Sequence, residues 1–165
     1  MLDVYVDGDA CPVKEEVYRV AARHDLKVYV VSDGPLRGGA KGRVEFIRVA
    51  QGYNAADDWI AERAGEGDIA VTSDIPLADR CIKKGARVVT PNGREFTEDS
   101  IGEAMAKREL MDHLRQMGTI TGGPPPFAPA DRSRFLARLE ETIQAIRRLK
   151  AAADKQKGAP PKRCP

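Results

Sequence analysis

Residues 2–17, LDVYVDGDACPVKEEV, decide how the chain folds. The run 2–7 is apolar, β-branched and aromatic between acids, the pattern of a short buried strand. Asp7-Gly8-Asp9 ends it, and Pro12 follows where its fixed φ suits the first turn of a helix. Val13, Val17, Val20 and Ala21 then fall on one helical face. A strand, an acidic turn and a helix in that order begin a βαβ unit. Working outward, the alternation continues. Residues 27–32 (KVYVVS) and 44–49 (VEFIRV) read as strands, and Ala56, Ile60 and Ala64 mark a helix over 55–64. Residues 68–72 (DIAVT) form a fourth strand, 76–84 a helix closed by Gly85, and 86–90 (ARVVT) a fifth strand halted by Pro91-Asn92-Gly93. Short apolar strands suit a sheet covered on both faces. The expected fold is therefore α/β: a three-layer α/β/α domain with a mostly parallel five-stranded sheet, its strand order left open.

The remainder reads differently. Residues 98–117 form a helix through Ile101, Met105, Leu110 and Leu114, and 118–130 (GTITGGPPPFAPA) a Gly/Pro-rich loop. From Asp131 as N-cap, Phe135, Leu139, Ile143, Ile146 and Leu149 mark an amphipathic helix of about two dozen residues. The domain thus spans 1–152 with its C-terminal helices, and 153–165 reads as a disordered basic tail.

Composition narrows the function classes. With 42% hydrophobic and 32% charged residues in 165, a disordered chain is excluded. No apolar run reaches the length of a spanning helix, so no membrane partner is expected. Met1-Leu2-Asp3 opens no signal segment, which points to the cytoplasm. Cys11, Cys81 and Cys164, with only His24 and His113, describe neither a disulfide framework nor a zinc site. The net charge of +2 is uneven: residues 131–165 hold ten Lys or Arg against four acids, leaving the body acidic. That asymmetry suits a polyanion held near metal-binding carboxylates and equally suits a solvated helix and tail.

In open α/β sheets, ligands bind beyond the carboxyl ends of the strands. Asp7 and Asp9 follow strand one, Thr72-Ser73-Asp74 follows strand four, and Asp57-Asp58 opens the helix that leads to it. Uncompensated carboxylates repel, and a divalent cation removes the cost. An oxygen-only donor set selects Mg²⁺ or Mn²⁺ over zinc. Singly, each acid suits a helix N-terminus. Together, Asp7, Asp9, Asp57 and Asp74 suit a metal site that activates water against a phosphodiester. Lys14, Arg132 and Arg134, and the loop residues Arg37, Lys41 and Arg43, are candidate phosphate contacts. Aromatics are only 5%, with no interleaved basic and aromatic platform. Cys11 reads as a packed small residue, Trp59 and the Phe135 stripe as core, and Gly122 to Pro126 as a lid or a link.

The strings DGDACPVK (7–14), ADDWI (56–60), GDIAVTSDIPLA (67–78) and TGGP (121–124), with Asp131-Arg132 and Phe135, resemble the bacterial YaiI/YqxD family over residues 3–140. That family is similar in turn to PIN-like domains, which are metal-dependent nucleases. The resemblance implies Asp7, Asp9, Asp57, Asp58 and Asp74 as metal-site acids, with Thr72 and Ser73 as supporting or phosphate-contacting hydroxyls. It implies a nucleic acid as partner, RNA being the expected substrate and DNA left open, with Lys14 and Arg132 on the phosphate. Asn54 stands where relatives often carry Asp, Pro76 where many PIN domains have a further acid, and Asn92 where relatives often have Arg. These departures leave a site suited to one metal. Asp79, near Pro76, reads as a solvated helix face.

Two other readings stay open. Asp7-x-Asp9 resembles the acid pair of haloacid-dehalogenase-like phosphatases, although strand five ends without a carboxylate. A non-enzymatic RNA-binding module is compatible with the reduced acid count and the basic last helix. A homodimer is also left open.

Overall fold

The computed structural model describes residues 2–9, 11–34, 42–52, 54–119 and 127–158. Strands β1 (Asp3–Asp7), β2 (Lys27–Ser32), β3 (Val44–Arg48), β4 (Ile69–Val71), β5 (Arg87–Val89) and β6 (Glu95–Phe96) form one sheet, ordered β3-β2-β1-β4-β5-β6. The first five are parallel and β6 runs antiparallel on β5. Helices α1 (Lys14–His24), α2 (Ala55–Arg63), α3 (Ile75–Lys83), α4 (Glu98–Gln116) and α5 (Pro129–Gly158) cover the sheet.

Strand alternation sorts the side chains into two cores. Val4, Val6, Val28, Val30, Ile69 and Val71 face Val13, Val17 and Val20 beside α1 and Phe135, Leu139 and Ile143 of α5. Tyr5, Val31, Ala70 and Val88 face Ile60 of α2, Leu77 and Cys81 of α3 and Ile101 of α4. This is the three-layer α/β/α arrangement. Trp59 packs half-buried against Tyr5 and Tyr29 on the second face, and Phe135 is fully buried on the first. Among the described residues, no helix is long and apolar enough to cross a membrane.

Three expectations need correction. The sheet has a sixth strand. After Thr90, the turn at Gly93 (φ +87°) sends the chain back as Glu95–Phe96. Two residues are too short to show a period, so β6 is invisible to pattern reading. A Cβ at Gly93 would lie 2.6 Å from the Arg134 backbone, so the turn presses against α5 where only glycine fits. Second, α5 begins at Pro129, and Asp131 is not its N-cap; the Asp131 carboxylate reaches back to accept the Ala128 N–H at 2.9 Å. Third, α5 continues through 153–158, which the sequence assigned to a disordered tail. The run Ala151-Ala152-Ala153 has the highest helix propensity and carries the helix past the end of its packed face. Residues 159–165, and the expected lid or link at 122–126, lie outside the described residues.

Candidate functional site

The sheet order places a topological switch point between β1 and β4. From β1 the chain steps outward to β2 and β3, then crosses back to β4 and steps outward the other way. Ligand crevices open where neighbouring strands diverge in this manner. The residues at this crevice are Asp7, last in β1, and Thr72, directly after β4.

The acidic turn can pass over the sheet because residue 8 is glycine. A Cβ there would lie 3.0 Å from both Val30 Cγ1 and the Val31 carbonyl, to which Gly8 donates its N–H at 2.8 Å. Buried Thr72 then ties two acids together. Its hydroxyl donates to Asp7 Oδ2 at 3.3 Å and accepts the Asp74 N–H at 3.0 Å. Asp74 is the N-cap of α3, its Oδ1 accepting the Leu77 N–H at 3.0 Å with Pro76 in the first turn.

Asp57 stands in the first turn of α2, entered through Asn54 at φ 65°, a conformation asparagine tolerates better than most residues. Asp57 makes no hydrogen bond among the described residues. Burial pushes its carboxyl up to about 6, with further upward pushes from Asp74, Asp7 and Asp58 and a smaller opposing pull from Arg80. The Asp7 carboxyl is also raised, first by burial and then by the charges of Asp9 and Asp74, against hydrogen bonds from the Asp9 N–H and Thr72. Asp7, Asp57 and Asp74 therefore share one electrostatic neighbourhood, although they come from three separate segments.

The other candidates sit around this trio. Asp9 is exposed at the rim, its Oδ1 accepting the Ser32 hydroxyl. Asp58 faces solvent and pairs with Arg80 at 2.7 Å. Ser73 is exposed. Lys14 opens α1 beside Cys11 and makes no ion pair among the described residues. Arg132 is bound to buried Glu16 at 2.6 Å and lies over the Phe127 ring at 5.2 Å.

The side readings also find their places. Burial lifts the Cys11 thiol to about 11, which keeps it protonated and unsuited to nucleophilic attack. Asn92 shapes the β5–β6 turn by accepting from Thr90 and from the Arg94 N–H. Asp79 pairs with Lys83, Arg43 with Asp25 and Arg134 with Asp131. Arg37 and Lys41 lie outside the described residues.

The donors at the crevice are all oxygens, the set a hard divalent cation takes. Among the described residues, no set of three or more His, Cys, Asp or Glu side chains forms a group that could hold a metal ion as it stands. Mg²⁺ asks for less, usually one or two carboxylates completed by water and substrate phosphate, which the acid trio can supply. Two contributors were missed from sequence. Ser32 ends β2 at the same sheet edge, so the strand-end rule that found Asp7 reaches it too. Glu16 carries no motif signal. Its carboxylate is buried, with Oε2 lacking any hydrogen-bond partner among the described residues.

Comparison with known proteins agrees with this architecture in its extent. Residues 5–145 match the family described as "Uncharacterized BCR, YaiI/YqxD family". A UPF0178 protein of Rhodospirillum centenum is 59% identical over 152 residues, covering 90% of this chain and 99% of that protein. A UPF0178 protein of Bradyrhizobium diazoefficiens is 56% identical over 155 residues, 93% of each chain. A third, from Rhodopseudomonas palustris, is 55% identical over 150 residues, 91% of this chain and 97% of the relative. With the match running from β1 to within α5, the chain belongs to the YaiI/YqxD family.

Proposed function

We propose that the chain is a metal-dependent phosphodiesterase, a PIN-like nuclease of the cytoplasm with RNA as its substrate. The observation that carries this reading is the mutual charge repulsion of Asp7, Asp57 and Asp74 around the β1/β4 switch point, with Asp57 raised to about 6 by burial and by its acidic neighbours. Such acids are costly to hold together without a cation, and carboxyls raised by burial and like charge at a strand-end switch point are candidates for a functional site.

In this reading one or two carboxylates of the trio Asp7, Asp57 and Asp74 would hold Mg²⁺ or Mn²⁺, completed by water and phosphate oxygens, with Asp9 at the rim. When bound, the cation supplies a water of lowered pKa and positive charge against the scissile phosphate. Thr72 orients Asp7 through its hydroxyl, and the Asp74 cap fixes that side chain on α3. Lys14 brings a charge to the start of α1. Arg132 engages Glu16 through Nη1, which leaves other guanidinium donors for phosphate oxygens. Ser73, exposed beside Thr72, offers a hydroxyl to the same phosphate. Asp58 contributes its charge and stays outside the metal shell, because Arg80 holds it at the surface.

Asp74→Asn tests the reading cleanly. Asparagine caps a helix about as well as aspartate, so α3 keeps its start while the site loses a charge. Cleavage of a labelled generic RNA with Mn²⁺ should fall on the order of 10²- to 10³-fold, the rate equivalent of several kcal/mol. Equal cleavage by both proteins, or none by wild type, refutes the nuclease. In the second case a non-enzymatic RNA-binding module takes its place, a reading consistent with Asp74 Oδ1 already serving the helix cap.

A further inference from the structure

Helices α1 and α5 lie side by side on one face of the sheet, and two acids join them in different ways. Val13, Val17 and Val20 against Phe135, Leu139 and Ile143 already dock the pair. Near the end of α1, Glu140 of α5 uses both carboxylate oxygens. Each meets His24 Nε2 at 2.8 Å, and Oε2 also accepts from Arg23 at 3.1 Å. Glu140 is a satisfied fastener. Glu16, in the first turn of α1, is arranged otherwise. Its side chain is 6% exposed, Oε1 accepts from Arg132 at 2.6 Å, and Oε2 has no hydrogen-bond partner among the described residues. Burial pushes the Glu16 carboxyl up, but the hydrogen bond from Arg132 leads the groups that more than reverse this, so it is held below the ordinary carboxylate range and stays ionised at neutral pH. A buried anion with one idle oxygen is a poor fastener. A carboxylate and a guanidinium can share two parallel bonds, and an apolar pair of like volume often holds as well or better.

What the bond does is fix Arg132. An arginine side chain has many rotamers to lose. Here the guanidinium is held between Glu16 and the Phe127 ring, 5.2 Å from the ring centroid, while the side chain remains 46% exposed. Nη1 is engaged by Glu16, and the other guanidinium donors make no hydrogen bond among the described residues. The pair stands on the crevice side of the domain: α1 starts from the acidic turn that ends β1, and the charges of Asp7 and Glu16 both reach Cys11 between them. We propose that Glu16 is a positioning residue, its buried carboxylate holding Arg132 against Phe127 so that the exposed donors of the guanidinium receive a backbone phosphate of the nucleic acid. The proposal rests on the reading above for the nucleic acid and needs neither metal nor cleavage. Taking an acid away from a protein that binds a polyanion ordinarily tightens binding. Taking Glu16 away should weaken it, and that reversed sign separates positioning from bulk charge.

Fluorescence anisotropy of a short labelled oligouridylate with the full chain in EDTA, over about 50–200 mM KCl, tests it. Arg132→Gln should weaken binding about fivefold at about 0.1 M salt and lower the slope of log Kd against log salt by about 0.7, the value of one phosphate contact on a single strand. Glu16→Gln, of the same shape, should weaken binding about threefold although it removes a negative charge, and should add nothing in the Arg132→Gln background. Glu140→Gln removes the same charge from the fastener between the same helices and should leave binding unchanged or tighter. If circular dichroism shows Glu16→Gln unfolded at the assay temperature, Arg132→Lys decides. A point charge lacks the fork that serves Glu16 and a phosphate together, so binding should fall about threefold with the fold kept. Binding by Glu16→Gln as tight as wild type or tighter, or equal weakening by Glu140→Gln, overturns the proposal. So does Arg132→Lys equal to wild type where it decides, and so does a wild type that binds no oligouridylate. A wild type that shows the expected differences yet cleaves no RNA with Mn²⁺ refutes the nuclease and supports the positioning role.

Discussion

Partly buried aspartates occupy both ends of the parallel sheet and live under opposite conditions. At the amino edge, Asp68 precedes β4 and accepts the N–H groups of Asp3 and Gly65, each at 3.1 Å. Burial raises its carboxyl, and these two donors restrain the rise. Asp68 is a stitch: it joins the start of β1 to the turn after α2 and satisfies two backbone donors. At the carboxyl edge, Asp57 has no donor among the described residues and faces Asp74, Asp7 and Asp58. One end of the sheet uses an acid to hold the fold, and the other gathers acids at the expense of the fold. A charge that the fold does not need, placed at the switch point of the sheet, is the pattern expected of a residue kept for a ligand.

The largest stability effect in this comparison belongs to the stitch. Asp68→Ala strips two partly buried backbone N–H groups of their acceptor and should cost about 2 kcal/mol in all, near the low end per group of the ~1–3 kcal/mol an unsatisfied buried donor costs. In a chain of this size that is a fall in Tm of about 4–8 °C, readable by calorimetry. An unchanged Tm would break the contrast by making Asp68 as dispensable to the fold as Asp57.

The two edges also differ in how far the sequence discloses them. The acids at the carboxyl edge were legible because strand ends can be read from apolar runs, and a parallel sheet puts all those ends on one side. Asp7, Thr72 and Asp74 follow from that rule alone. Their sorting did not. Asp58 looks equivalent to Asp57 in the sequence, yet one residue of helix turns it about 100° away, toward Arg80. Asp9 is two residues from Asp7, but Ser32, 23 residues further on, holds it at the rim. Asp68 passed as an ordinary strand flank because its partners are backbone groups, which leave no trace in residue identity. Strand order was likewise closed to pattern reading, since it depends on which crossover packs beside which. Leu110 and Leu149, which mark their helices by spacing, are exposed because α4 and α5 outrun the body they cover.

The smaller effect belongs to Asp57, and its sign is the informative part. Its folded-state pKa, about 6, exceeds the ordinary 3.8. The native state therefore binds more protons than the unfolded chain between those values, so this group's contribution to stability is present below the lower value and is lost as pH rises through the higher. At pH 7 the folded protein carries an ionised carboxylate it disfavours. Asp57→Asn should then stabilise the metal-free protein at pH 7, by about 1 kcal/mol or less once solvent screening at a partly exposed site is allowed for. That is a rise in Tm of about 2–4 °C at most. Near pH 4 the gain should vanish, because the wild-type carboxyl is already neutral there. Mn²⁺ supplies the converse: at pH 7 it should raise the wild-type Tm and leave Asp57→Asn nearly unmoved, since the charge that repels its neighbours is the charge that attracts the cation. A variant less stable than wild type at pH 7 would show that Asp57 is another stitch, and the distinction between the two edges of the sheet would then disappear.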